Sequence, residues 1–175
     1  MNIFVLETDP ELCASYHCDR HVVKMILEHC QMLSTVYDRY TRMSFYKPCY
    51  KKHPCTLWVG ECIENFNWLC ELTKHLNNEW ILRYPPELLF KDHLSYDKLK
   101  RFNSANYHLL QKSMPSYGKM TPFAQAMPND CKDPDAVVAY RKYYVNHKQH
   151  LHSWKIRNAP HWLIDPEYQL NTVGV

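Results

Sequence analysis

The sequence predicts a mostly α-helical protein, a compact single-domain helical bundle with a short extended segment at its N-terminus. Apolar residues recur at spacings of three and four in several long stretches, which is the periodicity of helices with one buried face. The chain has 175 residues, enough for one domain with a substantial core. A hydrophobic content of 46% and an aromatic content of 14% supply the apolar surface for that core.

The first elements follow from the N-terminal residues. The apolar run NIFVL at 2–6 is too short for a helix and predicts a buried strand or extended segment. Asp9 and Pro10 are typical of a helix start, so a short helix is expected over about 10–16. A second helix should run from Asp19 to about Tyr37. Its buried side should consist of Val22, Ile26, Cys30, Leu33 and Tyr37.

The remaining elements are separated by proline-containing breaks. Residues 38–54 mix basic and aromatic side chains and predict an irregular loop. A long helix is expected from 55 or 56 to about 82, followed by a short helix over 86–91 and a medium one over 95–112. After a loop at 113–132, Asp133 and Pro134 predict a last long helix to about Trp154. The tail, 158–175, is expected to pack through Trp162.

Several functional classes are excluded by composition. The three glycines are too far apart to form a dinucleotide-binding fingerprint or a P-loop. No CxxC occurs, and no Cys/His cluster has a second ligand pair at zinc spacing, so neither a metal nor another cofactor is predicted. Without a secretory signal or an apolar stretch of about 20 residues, the protein is expected to be soluble and cytoplasmic, with its eight cysteines reduced. No obligatory protein partner is evident.

A polar stripe on the second helix is the most conspicuous chemical feature. Its members are His21, Lys24, Glu28, Gln31 and Thr35, which share one helix face. In one interpretation, Lys24 and Glu28 form only an exposed ion pair. In the other, the stripe lines a cleft where an imidazole, an amine and a carboxylate provide a base, a nucleophile and a charge stabiliser.

Other candidate residues point to nucleic acid. His53 stands where the long helix begins, a favourable position for phosphate. Asn65 and Trp68 lie away from the main apolar stripe of that helix, where they either pack on a neighbour or stack on a planar base. The basic segments 38–53 and 141–157 suit phosphate contact beside stacking aromatics, although a solvated helix face explains the second almost equally well.

Five motifs in order resemble a group of phage and viral pyrimidine dimer DNA glycosylases: CDRHVVKMILEHCQML, KKHPCTLW, ENFNWL, TPFAQAMP and DPDAVVAYRKYY. The resemblance spans most of the chain, and a more distant one links it to the endonuclease V type. It implies a compact all-α enzyme that expels a damaged pyrimidine from duplex DNA and attacks C1′ with an amine. The resulting Schiff base permits strand cleavage, and a carboxylate assists. A viral origin would imply the host cytoplasm.

The catalytic pair of such enzymes does not transfer residue by residue. They use the α-amine of a small second residue, whereas here Asn2 follows Met1, so Met1 is expected to be retained. Their glutamate directly follows an arginine, whereas here the nearest downstream carboxylate is Glu28. Our hypothesis is therefore that Lys24 or the Met1 amine acts as the nucleophile and Glu28 as the carboxylate.

The resemblance also implies roles for the other candidates. His21 and His53 would contact phosphate or assist proton transfer. The residues expected to recognise or stack on the base are Asn65, Trp68 and Gln125, and those expected to hold the backbone are Lys51, Lys52, Arg141 and Lys142. Gln31 is expected to bind the substrate or nucleic acid. Two alternatives remain: a viral protein that binds a nucleotide or nucleic acid without chemistry, and an enzyme that modifies a DNA pyrimidine without breaking its glycosidic bond.

Overall fold

The computed structural model describes residues 1–84 and 91–164, and every regular element in those residues is helical. The predicted mostly α fold is confirmed. The α-helices are α1 (Pro10–Tyr16), α2 (Asp19–Thr41), α3 (Pro54–Val59), α4 (Ile63–Arg83), α5 (Leu94–Ser113), α6 (Ala136–His147) and α7 (His161–Ile164). Short 3-10 turns lie at Asn129–Cys131 and Gln149–Leu151. None of the described helices combines the length and apolar content that spanning a membrane requires.

Helix α2 lies at the centre of the fold and packs against α3, α4 and α5. The five apolar residues predicted for its inner side are all buried. Exposed side chains on its first half are few, among them Arg20, Lys24 and Leu27. The helix runs to Thr41, four residues beyond the predicted end, and stops at Arg42 in the left-handed conformation.

The N-terminal segment 2–6 is buried and irregular, so the expected extended segment is confirmed as a core element without being a strand. Its Phe4 ring stacks on His21 of α2 at 4.3 Å between centroids and meets Tyr144 of α6 edge-on at 5.3 Å. The segment therefore lies between α2 and α6, and it carries the chain terminus to the side of α2.

The predicted helix from 55 to 82 is wrong as a single element, because α3 and α4 are separate. Backbone groups at the break have hydrogen-bond partners outside α3 and α4. Tyr40 OH donates to the Gly60 carbonyl at 2.7 Å, and the Ile63 N–H donates to the Pro115 carbonyl at 2.9 Å. A Cβ at Gly60 would meet the Arg39 guanidinium, which would have to move aside to make room for it.

The predicted last helix is also too long. Helix α6 begins at Ala136, with Asp135 as its N-cap, and ends at His147. Beyond the following turn, the chain is held by the start of α2: Asp19 N–H donates to the Ser153 carbonyl at 2.9 Å, and Ser153 Oγ donates to the Asp19 carboxylate at 2.6 Å. A continuous helix to Trp154 could not make these bonds.

The remaining expectations have mixed outcomes. The predicted helix over 95–112 is confirmed as α5. The expectation for 86–91 falls almost entirely outside the described residues. Trp162 is buried, as predicted for the tail, while residues 165–175 lie outside the description. All eight cysteines are free thiols.

Candidate active site

The Glu28 carboxylate lies between two amines at the edge of the core. Its Oε2 atom accepts the Asn2 backbone N–H at 2.9 Å and lies 3.5 Å from the Met1 α-amine. Its Oε1 atom lies 3.4 Å from Lys24 Nζ, one helical turn earlier. Glu28 is only 8% exposed. The structure thus joins three residues assigned from sequence: Met1, Lys24 and Glu28.

The Met1 residue is anchored by its side chain and open at its amine. The side chain is 3% exposed, and Thr56 Oγ1 lies 4.0 Å from its sulfur. The residue as a whole is nevertheless half-buried, so its exposed surface belongs to the backbone end that carries the α-amine. A nucleophile needs this combination of a fixed position and access for substrate.

Lys24 differs from Met1 in its freedom. Its side chain is 69% exposed and reaches Glu28 across a single helical turn. A long, exposed side chain has many rotamers, and holding it in one costs conformational entropy. The structure therefore offers one anchored amine and one mobile amine to the same carboxylate.

His53 is the third group at this site. Its ring accepts the Cys55 N–H at 3.2 Å and so caps α3. Partial burial lowers the pKa of His53, the positive charge of the N-terminus lowers it further, and Glu28 opposes both effects. The residues that follow His53 on α3 contact the terminus, Cys55 at Asn2 and Thr56 at Met1, so His53 lies close to the terminal residues.

Asn2 is a residue at this site to which the sequence analysis gave no direct role. Its Nδ2 donates to the Ala126 carbonyl at 2.9 Å, and its Oδ1 accepts the Ile3 N–H at 2.8 Å. Tyr140 OH lies 3.1 Å from the same Oδ1, and Cys55 Sγ lies 3.4 Å from it. A polar residue beginning an apolar run, next to the terminus, was the only sequence signal of this role.

A comparison of the chain with protein-family models finds a match over residues 1–92, to the family described as pyrimidine dimer DNA glycosylase. The chain belongs to this family. The family is one of DNA repair glycosylases, so DNA is the expected macromolecular partner at the family level. No curated protein and no solved structure matches the chain. The matched region contains α1–α4 and carries Met1, Asn2, Lys24, Glu28 and His53.

One predicted glycosylase site residue, His21, lies in the interior. Its Nδ1 hydrogen-bonds to Tyr144 OH, and its ring stacks on Phe4. Burial, reinforced by neighbouring positive charges, lowers the pKa of His21 to about 3. The residue shares a helix with Glu28 but not its surroundings, because segment 2–6 and α6 cover it.

The residues expected to read the base are also occupied by the protein itself. Asn65 Nδ2 donates to Thr121 Oγ1 at 2.7 Å, and Trp68 Nε1 donates to the Thr8 carbonyl at 2.8 Å. Trp68 is buried, with its ring edge-on to Phe123. Gln125 exchanges two hydrogen bonds with the Asp133 backbone. The contacts of Asn65 and Trp68 hold the segment 121–133 against the core, and those of Gln125 lie within this segment. Gln31, by contrast, is half-buried one turn beyond Glu28.

The cations expected to bind the DNA backbone are mostly paired within the protein. Lys51 lies 3.3 Å from Asp38, Arg141 2.9 Å from Glu7, and Lys142 2.8 Å from Asp133. Lys52 is exposed beside His53. The structure thus places Lys52 and Lys24 near the candidate site, whereas Arg141 and Lys142 lie on α6.

Among the residues that the structure describes, one group of side chains could hold a metal ion. Donor atoms of Asp130, Cys131 and His147 lie within 4.8 Å of one another. His147 Nε2 is already 2.8 Å from Asp130, and burial raises the pKa of the Cys131 thiol to about 11. The thiol therefore stays protonated, and the group has no described contact with Glu28.

Proposed function

We propose that the protein is a DNA glycosylase with abasic-site lyase activity that acts on damaged pyrimidines in duplex DNA. Its nucleophile is the Met1 α-amine, and Glu28 is the assisting carboxylate. The observation that carries the proposal is the anchored terminus, with the amine 3.5 Å from a nearly buried carboxylate. Membership of the pyrimidine dimer DNA glycosylase family supports the substrate class.

The terminal amine is favoured over Lys24 for two physical reasons. As a class, α-amines are weaker bases than lysine side chains, so more of the unprotonated, nucleophilic form exists at neutral pH. The Met1 amine is also held by a buried side chain, while the lysine amine must be immobilised before reaction. Lys24 is better suited to contact a DNA phosphate.

The chemistry can be written as a balanced sequence. The amine nitrogen bonds to C1′, the C1′–N glycosidic bond breaks, and the electron pair and a proton leave with the base. The sugar ring opens as its ring oxygen takes a proton, and the nitrogen and C1′ form an imine. Removal of a C2′ proton then breaks the C3′–O bond, which leaves a sugar with a C2′=C3′ double bond at the 3′ end of one fragment and a 5′-phosphate on the other. Water finally hydrolyses the imine and frees the amine.

Glu28 and His53 can move the protons of this sequence. Glu28 Oε2 is close enough to the amine to take its proton and to deliver one to the ring oxygen. The lowered pKa of His53 keeps its imidazole mainly neutral at neutral pH, so it is able to accept the C2′ proton. Gln31, half-buried on the same helix, is proposed to contact the extruded base.

The decisive experiment is borohydride trapping followed by peptide mapping. The protein is incubated with ultraviolet-irradiated or abasic duplex DNA and borohydride, which reduces an imine to a stable amine. After nuclease and trypsin digestion, an adduct on Met1 appears in the peptide 1–20, the first tryptic peptide of the chain. An adduct on Lys24 blocks cleavage there and appears in 21–39 instead. Undamaged duplex DNA is the control.

The outcomes separate the proposal from its alternatives. An adduct in 1–20 supports the Met1 amine, and one in 21–39 transfers the role to Lys24. Absence of adduct and of strand cleavage on both substrates contradicts lyase chemistry. It would favour a protein that binds nucleic acid or modifies a pyrimidine with the glycosidic bond intact.

A further inference from the structure

The Asn2 side chain is bound at both the nitrogen and the oxygen of its amide group. Its amide nitrogen is bound by Ala126, and its amide oxygen is approached by Ile3, Cys55 and Tyr140. Its backbone N–H donates to Glu28. Asn2 is 7% exposed, so these bonds are shielded from competing water. These bonds fix the Asn2 side chain in one position. Met1 is joined to Asn2 by a peptide bond, so its position is restricted as well.

The Met1 side chain is packed into the core beside α3. It is nearly as buried as the core residues of segment 2–6, with Thr56 of α3 against its sulfur. If Met1 were removed, the nitrogen of Asn2 would become the terminal amine. That nitrogen is 2.9 Å from Glu28 and belongs to a residue that is nearly inaccessible to solvent.

We propose that Met1 is retained in the working enzyme and that Asn2 is a positioning residue that fixes the Met1 amine against Glu28. The positioning role rests on the proposed function. Retention follows from the second residue, because the aminopeptidases that remove methionine accept small neighbours and asparagine is large. The site is thus built one residue earlier than in enzymes that expose a small second residue.

Tyr140 connects this arrangement to the rest of the fold. Its hydroxyl lies 3.1 Å from Asn2 Oδ1 and 2.8 Å from the Ala124 carbonyl, and it accepts the Ala126 N–H at 3.3 Å. One hydroxyl proton serves two acceptors, so Tyr140 links helix α6, the 124–126 segment and the terminus. Removal of the Tyr140 hydroxyl should therefore loosen the position of the Met1 amine, although this hydroxyl is not proposed to contact the substrate.

The first test is the intact mass of the wild-type protein purified from cells, which should include Met1. The Asn2→Ser variant, with a small second residue, should lose Met1 in the same cells. We expect its rate of borohydride trapping on saturating abasic duplex DNA to fall at least tenfold. A wild-type mass without Met1, or undiminished trapping by the Asn2→Ser protein without Met1, would overturn the requirement for Met1.

The second test compares two buried tyrosines of the same helix. Tyr140→Phe removes the hydroxyl beside Asn2, whereas Tyr144→Phe removes one bonded to His21, away from the amine. We expect Tyr140→Phe to slow trapping at saturating DNA about tenfold with unchanged DNA affinity, and Tyr144→Phe to leave this rate within twofold. A purely structural role of Tyr140 would lower the melting temperature without slowing trapping relative to Tyr144→Phe. Equal trapping rates for the two variants would therefore overturn positioning by Asn2.

The two proposals fail in different ways. A wild-type protein that retains Met1 but forms no adduct contradicts the proposed lyase function and, with it, the positioning role. A wild-type protein that forms the adduct on Asn2 after losing Met1 preserves the lyase function and contradicts the inference, together with the choice of the Met1 amine as nucleophile. The mass and the mapped peptide together distinguish these results.

Discussion

Glu28 and Glu79 are two carboxylates that the fold buries to almost the same extent, 8% and 6% exposed, yet their partners differ in chemistry. Glu79 is bound by two guanidinium groups: Arg83 Nε donates to it at 2.9 Å, and Arg157 Nη2 donates at 2.5 Å. Glu28 is bound by an α-amine and a lysine amine. Burial alone therefore does not distinguish a structural carboxylate from a reactive one.

The difference lies in what each cation can do with a proton. A guanidinium in a protein does not deprotonate, so the pairs of Glu79 are permanent. Arg83 also donates to the Ser15 and His17 carbonyls and contacts Asp19, tying the α1–α2 junction to α4. An amine can release its proton and become a nucleophile, so the Glu28 pair can change state during a reaction.

The largest effect should come from Glu28→Gln. The amide keeps the shape of the side chain but cannot take a proton, so we expect trapping and cleavage rates on abasic duplex DNA to fall by about 10²- to 10⁴-fold. Circular dichroism should show the same helical content as wild type. Glu71→Gln is the matched control, since Glu71 pairs with Lys74 on the surface. A Glu28→Gln rate within threefold of that control would contradict the role.

Arg83→Ala should affect the other cluster in the opposite way. Removing Arg83 takes a cation from two buried carboxylates, Glu79 and Asp19, and leaves Glu79 with Arg157 alone, so we expect the free energy of unfolding to fall by about 3–5 kcal/mol. Denaturant unfolding measures the loss, and the trapping rate per folded molecule should be unchanged. Arg101→Ala, which breaks an exposed pair with Asp97, should cost less than about 1 kcal/mol. Equal losses in the two variants would remove the distinction.

A titration of stability should separate the histidines from Glu79. Burial lowers the pKa of His17 to about 4 and that of His21 to about 3, and it lowers the pKa of His29 well below its usual range. Above about pH 6.5 the histidines cost nothing. As pH falls towards the folded-state values, the unfolded chain binds protons that the folded chain cannot, so stability falls by about 1.4 kcal/mol per pH unit for each histidine.

Glu79 should become important only at lower pH. Its arginine partners hold the pKa of Glu79 below its usual range against the effect of burial, so its contribution is lost only below about pH 4. Denaturant unfolding at pH 7, 6 and 5 therefore reports on the histidines alone. His29→Leu should reduce that slope by up to about 1.4 kcal/mol per pH unit, the contribution of one histidine, and its partner Thr73 still donates to the Leu69 carbonyl. An unchanged slope would contradict the assignment.

Periodicity predicted the helices well where one face is buried and failed where tertiary contacts end a helix. The inner side of α2 was read directly from spacings of three and four. The break between α3 and α4 depends on Tyr40, which binds Gly60, and on Pro115, which binds Ile63. The end of α6 depends on the hydrogen bonds between Asp19 and Ser153. Such partners are distant in sequence, so a local pattern does not contain them.

The candidate site shows the same limit. Spacing placed Lys24 and Glu28 on one face, and the structure brings them together with the terminus. The same spacing gave His21 an equivalent place, but segment 2–6 and Tyr144 cover that part of the helix. A helical face is a property of the local sequence, whereas the environment of each residue on it depends on what packs there.

The smallest effect should come from Lys24→Ala, which tests whether the second amine at Glu28 is an auxiliary group. An exposed pair one helical turn apart contributes about 0.3–0.5 kcal/mol, so stability should barely change. If Lys24 contacts a phosphate, DNA affinity should fall a few-fold, and the salt dependence of binding should decrease by about one phosphate contact. The adduct should still map to 1–20. Complete loss of the adduct would instead make Lys24 the nucleophile, and the anchored terminus would then be, like Glu79, a structural ion pair.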